Sequence, residues 1–392
     1  PGPSDSGFQM LSSVTIDQSA SEKTAQFSTR LAFFISGFCM ASWAPLVPLV
    51  KDRAGIDEGV LGLLLLCLGV GSITAMPISG YLVGRYGCRR VIVVAALLMC
   101  LSLPLLACLS SIPTLVIAII AFGIGMGAID CAMNIQAVIV NDASQRPIMS
   151  SFHGLFSLGG ILGAVGMTAM LGVGLSPVGA SLCVVGITLV SLIKASPHLL
   201  PFGGGGGAPV FVLPKGKVLI LGVMCFIVFM AEGAMLDWSG VFLVSLRGME
   251  AAYGGLGYAA FAATMTIARL TGDSVISRFG AIRVLAVGSV FASVGIAFSL
   301  CSSSWLLALL GYAMVGAGCA NIVPVLFTAV ARQTDMPQAS AVPAMTTLGY
   351  AGVLIGPAFI GFVAHASSLI VALAFVAVAL LIVAAFSRSI RV

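Results

Sequence analysis

About twelve runs of some 20 apolar residues fill this sequence, and each is long enough as a helix to cross the roughly 30 Å of hydrocarbon in a bilayer. They cover residues 31–50, 60–83, 91–109, 114–140, 149–171 and 178–193, then 218–244, 254–276, 282–300, 305–330, 341–363 and 369–386. In lipid every backbone polar group must be satisfied internally, which leaves runs of this length one option, the helix. Composition agrees. The chain is 59% hydrophobic and 8% charged, where soluble domains carry roughly 25% charged residues. Its 18 basic and 13 acidic side chains cannot cover a water-facing surface for 392 residues. The expected fold is therefore an all-α membrane protein with twelve transmembrane helices.

The net charge of +5 is spread thinly, with no run of like charge, so nucleic-acid binding is excluded as a main role. Threading successive loops to opposite sides collects 14 of the 18 basic residues on one face. Lys51, Arg53 and Arg247 fall on the other, and Arg269 falls within a span. By the positive-inside rule both termini are expected in the cytoplasm, and the membrane is expected to be a bacterial inner membrane. Ten cysteines stand singly, without a Cys-x-x-Cys pair or a histidine at metal spacing, so no disulfide framework, metal site or cofactor is expected.

The longest break, residues 194–217, holds Pro197, Pro201, glycines 203–207, Pro209 and Pro214 and reads as a flexible spacer. The chain thus divides into a polar tail over 1–29 (part of it readable as a cloning remnant), a six-helix half over 30–193, a linker over 194–217 and a second half over 218–392. The halves resemble each other. Arg85-Tyr86-Gly87 with Arg90 three residues on returns about 193 residues later as Arg278-Phe279-Gly280 with Arg283. Gly125 and Gly127 before Asp130 are echoed by Gly316 and Gly318 before Asn321, and Trp43 by Trp238.

Two parallel six-helix repeats and the loop Gly80-x-x-x-Gly84-Arg85-x-Gly87-x-Arg89-Arg90 resemble the major facilitator superfamily, whose signature is Gly-x-x-x-Asp-Arg-x-Gly followed by basic residues. The signature's Asp is missing, with Gly84 in its place and Ser277 in the second copy. Asp130 and Asn134 resemble the Glu-x-x-x-Asn of fucose-permease-like proton symporters, and Glu232 with Trp238 resembles a Glu and Trp of related permeases. Met40 to Ala44, His153-Gly154 and the stretch from Thr346 to Tyr350 resemble the YbjJ-like bacterial branch. The resemblance implies alternating access between two rocking halves and a protonation site at Asp130. The acid that fucose permeases carry in their first helix falls near Ala44 here.

A carboxylate deep in a bilayer costs roughly 2.5–3.5 kcal/mol on insertion scales, so it is kept for a purpose or carries a proton. Asp130 and Glu232 are the expected proton-coupling groups; for Asp130 the alternative is a helix-packing bond, and for Glu232 a contact to backbone near Gly233. Trp43, Asn134, Gln136, Trp238, Asn321 and Tyr350 are candidate substrate-binding residues, since aromatic faces stack on sugars and amides bond hydroxyls. Arg85, Arg89, Arg278 and His153 are candidate gating groups; His153 also reads as a proton relay or, as a lone histidine at a helix start more often is, a capping or packing group. Arg269 and Asp273, four residues apart, are expected to pair with each other, either as a plain structural ion pair or as a gate latch. No His-Glu-x-x-His, nucleophile elbow or paired intramembrane aspartates support an enzyme. Two transport classes remain. Proton-coupled symport of a small polar or sugar-like molecule leads, and a proton-driven drug or metabolite efflux antiporter is the alternative. Protons, a small solute and lipid are the expected partners of a chain that acts as a monomer.

Overall fold

The computed structural model describes residues 20–56, 58–203, 212–249 and 256–390. The tail as far as residue 19, glycines 204–207, the start of the eighth expected span and Arg391 lie outside these described residues. Everything regular within them is helical. The first half comprises α1 (Ala20–Ser42), a short α2 (Val47–Ala54), α3 (Glu58–Tyr86), α4 (Cys88–Cys108), α5 (Ile112–Ala143), α6 (Met149–Gly172) and α7 (Pro177–Ala195). The second comprises α8 (Gly216–Arg247), α9 (Leu256–Phe279), α10 (Ala281–Cys301), α11 (Trp305–Cys319), α12 (Ile322–Arg332), α13 (Gln338–Ala366) and α14 (Leu369–Ala385). Among the described residues ten spans pass on length and hydropathy, with α11 and α12 forming one of them. Helices α1 and α9 bring the layout to twelve; α9 falls short in hydropathy because it carries Arg269, Asp273 and Arg278.

The internal repeat is written into the backbone. Gly55 and Gly248 end helices at φ 63° and 66°, and Gly87 and Gly280 turn the chain at φ 85° and 82°. Left-handed turns of this kind are cheap only for glycine. Both pairs lie 193 positions apart. Packing fixes the same offset within the fourth and tenth spans: Gly123 lies on the Leu68 carbonyl as Gly316 lies on that of Phe261, and Gly125 on Ala95 as Gly318 on Gly288. This corrects the sequence register by two residues. Gly123 and Gly125, not Gly125 and Gly127, match Gly316 and Gly318, so Asn321 corresponds to Ala128 and not to Asp130.

Two of the three cations stranded on the sparse face act as helix caps. Arg53 donates to the carbonyls of Leu106, Ala107 and Leu109 at the end of α4, at 2.7–3.0 Å. Arg247 does the same at the end of α10, donating to Leu300 at 2.8 Å while lying over the Phe242 ring. Both sit on the negative, carbonyl-bearing ends of helices.

The spacer is held at both ends. Ser28 donates to the His198 carbonyl at 2.9 Å, and Leu200 N donates to Gln136 Oε1 at 3.1 Å. The carbonyls of Leu200 and Phe202 accept from Arg89 N and Cys88 N, capping the start of α4. At the far end Asp335 accepts from Lys217 N at 2.6 Å. Gln136, whose Nε2 also donates to Thr29 at 2.9 Å, is fully buried as the rivet between α1, α5 and the linker. Replacing Gln136 with Ala would leave Leu200 N without its acceptor and remove the bond to Thr29, whose hydroxyl keeps the Ala25 carbonyl, so a loss of about 1–3 kcal/mol is expected. Thermal melting should fall and proteolysis within 194–217 should accelerate; an unchanged cleavage rate would show that Gln136 does not hold the linker.

Candidate functional site

The halves meet through α3 against α13, α6 against α9, and α12 against α5 and α6. Their contacts gather toward the face that carries the basic loops. Arg269 on α9 is the most buried cation there, 5% exposed, and its guanidinium reaches three places. Nη2 donates to Glu232 Oε1 at 3.0 Å, Nη1 to Ser157 Oγ on α6 at 3.0 Å, and Nε to the Ala320 carbonyl at 3.1 Å. That carbonyl is available for a local reason. The residue four positions on is Pro324, which has no N–H to close the helical bond. Glu232 is the acid bonded to Arg269, and its side chain is more open than the arginine's, 20% against 6%.

Asp273 does not pair with Arg269 as expected. Its carboxylate instead accepts from Ser150 N and Ser151 N, each at 2.9 Å, across the boundary between halves. The cause lies in α6. Ile148 at its N-cap has no side-chain acceptor, so the first-turn N–H groups are orphans and the positive helix end is unmatched. A carboxylate from α9 fills the role that Ser or Asp plays at an ordinary cap. Ser150 Oγ donates to Asn321 Oδ1 at 2.7 Å, and Asn321 Nδ2 to the Ala268 carbonyl at 3.3 Å. Gly272 makes room, since a Cβ there would strike the Asn321 amide. At the equivalent place in the repeat, Gly80 faces Pro343, an apolar contact with no charge. Asp142 and Arg332 add an exposed pair at 3.9 Å, a distance and exposure worth little.

Asp130 on α5 is 7% exposed, and its carboxyl faces the hydroxyl of Tyr350 on α13 of the opposite half. Tyr350 is held edge-on to Phe229 at 5.5 Å. Asn134, one turn beyond Asp130, donates to the Asp130 backbone carbonyl at 2.8 Å and not to its carboxyl, and its buried Oδ1 has no partner among the described residues. Trp43 is buried beside Phe122, and Trp238 packs against Gly361; both indole N–H groups are unpartnered among the described residues. His153 stands between Phe33 and Phe327 where the halves touch. Arg85, Arg89 and Arg278 are exposed at the basic face, Arg85 over Tyr86 and Arg278 over Phe279. The structure thus joins Asp130 to Tyr350, Glu232 to Arg269, and Asp273 to Asn321 through Ser150. It sets Gln136 apart with the linker. Sequence reasoning missed Ser150, Ser151 and Ser157, small polar residues with no pattern of their own; Pro324 was the one available sign that Ala320 needed an outside donor.

Two six-helix repeats around buried charges define a membrane carrier. The sequence profile of the Major Facilitator Superfamily matches residues 30–273, and the chain belongs to that family, whose members are transporters and not enzymes. It is 50% identical over 366 residues to an uncharacterised MFS-type transporter of Yersinia pestis, covering 93% of this chain and 95% of that one. Its fold is similar to that of the fucose:proton symporter FucP of E. coli, at 16% identity and TM-score 0.76, covering 92% of this chain and 97% of FucP. The proton:xylose symporter XylE is similar at 13% identity and TM-score 0.73, covering 93% and 94%.

A double-mutant cycle separates the two possible partners of Arg269. Combining Arg269→Gln with Glu232→Gln should show a coupling of about 1–3 kcal/mol in thermal unfolding. Arg269→Gln with Asp273→Asn should add within about 0.5 kcal/mol. The reverse ranking would return Asp273 to Arg269.

Proposed function

We propose that this chain is a proton-coupled symporter that moves a small polar or sugar-like molecule by alternating access between the halves 30–193 and 218–392, in a bacterial inner membrane with both termini in the cytoplasm. The observation that carries the reading is Asp130, an acid buried between the halves that faces the Tyr350 hydroxyl of the other half. A neutral donor allows the acid to take or lose a proton without stranding an opposite charge. Because the partner comes from the opposite half, rocking of the halves changes the acid's surroundings, and this ties protonation to the conformational step. The symporters similar in fold support the direction of coupling. The hydrogen bonds that Asp273 accepts from α6 close the basic, termini-bearing face, so the state described is read as shut toward the cytoplasm.

Asp130→Asn mimics the loaded acid. Reconstituted in proteoliposomes, it should exchange solute across the membrane in counterflow, because exchange needs no net proton cycle. Accumulation driven by a pH gradient should vanish. Retained accumulation would place coupling elsewhere, and loss of both activities would make Asp130 a substrate ligand or a structural group.

A further inference from the structure

Arg269 cannot be left alone where it sits. A guanidinium in a low-dielectric setting is tolerated only with a counter-ion, and removing that partner exposes the full desolvation cost. Asp273, a turn away, is committed to the start of α6. Glu232 therefore supplies the balancing charge through one oxygen, and its carboxylate is the more open member of the pair. If Glu232 takes a proton, a second anion must arrive with it. A neutral sugar brings none. Asp130 differs, because its Tyr350 partner is neutral and a proton there leaves no cation behind.

We propose that Arg269 is the receptor for a carboxylate on the transported solute, which takes Glu232's place on the guanidinium as Glu232 is protonated. This rests on the symport reading above and narrows its polar, sugar-like solute to an acid such as a hydroxy-carboxylate. The charges balance. One proton passes from hydronium in the water to Glu232, forming the carboxyl O–H as a hydronium O–H breaks, one anion passes from water to Arg269, and the site stays neutral with no other bond made or broken. The Nη1 bond to Ser157 is the link from this site to the other half, so an anion on Arg269 sits against a contact that opening must break. The titratable groups in reach of the pair are Tyr258 on α9, Cys225 on α8, Cys319 on α11, Tyr350 on α13 and, toward Arg269, His153 on α6.

The test uses the full-length protein and four probes, D-gluconate and D-glucuronate beside the neutral D-glucose and D-sorbitol, read by thermal shift and calorimetry. Carboxylates should stabilise the wild type, and their affinity should tighten by about tenfold per pH unit as pH falls through the range in which Glu232 gains its proton. Glu232→Gln should bind the carboxylates tightly and without that pH dependence. Arg269→Gln should lose at least about tenfold in carboxylate affinity, the size of one charge-assisted pair, and Arg269→Lys should recover part of it. If Arg269→Gln does not fold, the pH profile of Glu232→Gln carries the test. The proposal is overturned if neither carboxylate shifts the wild type at low pH, if Glu232→Gln keeps the wild-type pH profile, or if glucose and sorbitol bind as well as the acids. Carboxylate binding that persists while gradient-driven uptake fails would contradict the symport reading and leave the receptor standing.

Discussion

The cost of a buried positive charge organises this molecule. Arg269 sits among membrane-spanning helices, and three acceptors from three elements meet it: a carboxylate on α8, a hydroxyl on α6 and a carbonyl released by Pro324. Each has a different consequence. The carboxylate sets the charge balance of the site, the hydroxyl ties one half to the other, and the carbonyl fixes the arginine to the break between α11 and α12. In the proposed reading, protonation, conformational state and anion occupancy converge on this side chain.

Pseudo-symmetry supplies the frame, and its exceptions supply the chemistry. Turns, glycine contacts and even the capping arginines Arg53 and Arg247 recur between halves. The closing contacts do not recur. Where one half sets Gly80 against Pro343, the other sets Asp273 against the start of α6. One closure is therefore a sliding apolar fit and the other a charge on a helix end, which gives the two sides of the same closed face different strengths and different sensitivities.

Much of this was legible in the sequence, because the bilayer permits so few answers. Twelve apolar runs, the basic loops and the repeated Arg-aromatic-Gly turn were sufficient for the two-half layout. Asp130 and Glu232 were visible because acids are rare within spans. The partners were not visible. Four-residue spacing pointed Arg269 at Asp273, a local rule that lost to the unmatched end of α6 more than a hundred residues earlier in the chain. Gln136 looked like a cavity residue because an amide in a span invites that reading, and the linker backbone that occupies it has no signature. The glycine register slipped by two because small residues recur at close spacing, and only the carbonyls they touch distinguish one pair from the next.

The central claim is that the charge on Glu232 holds Arg269, and through it the closed face, in place. Electron–electron resonance distances between nitroxides at Gln145 and Thr334, on opposite halves at that face, test it most directly once the ten native cysteines have been replaced. Without added solute, Glu232→Gln should shift the distribution toward longer distances than the same labelled chain with Glu232 intact, and acidification should move the latter the same way. Identical distributions for the two proteins at every pH would contradict the account.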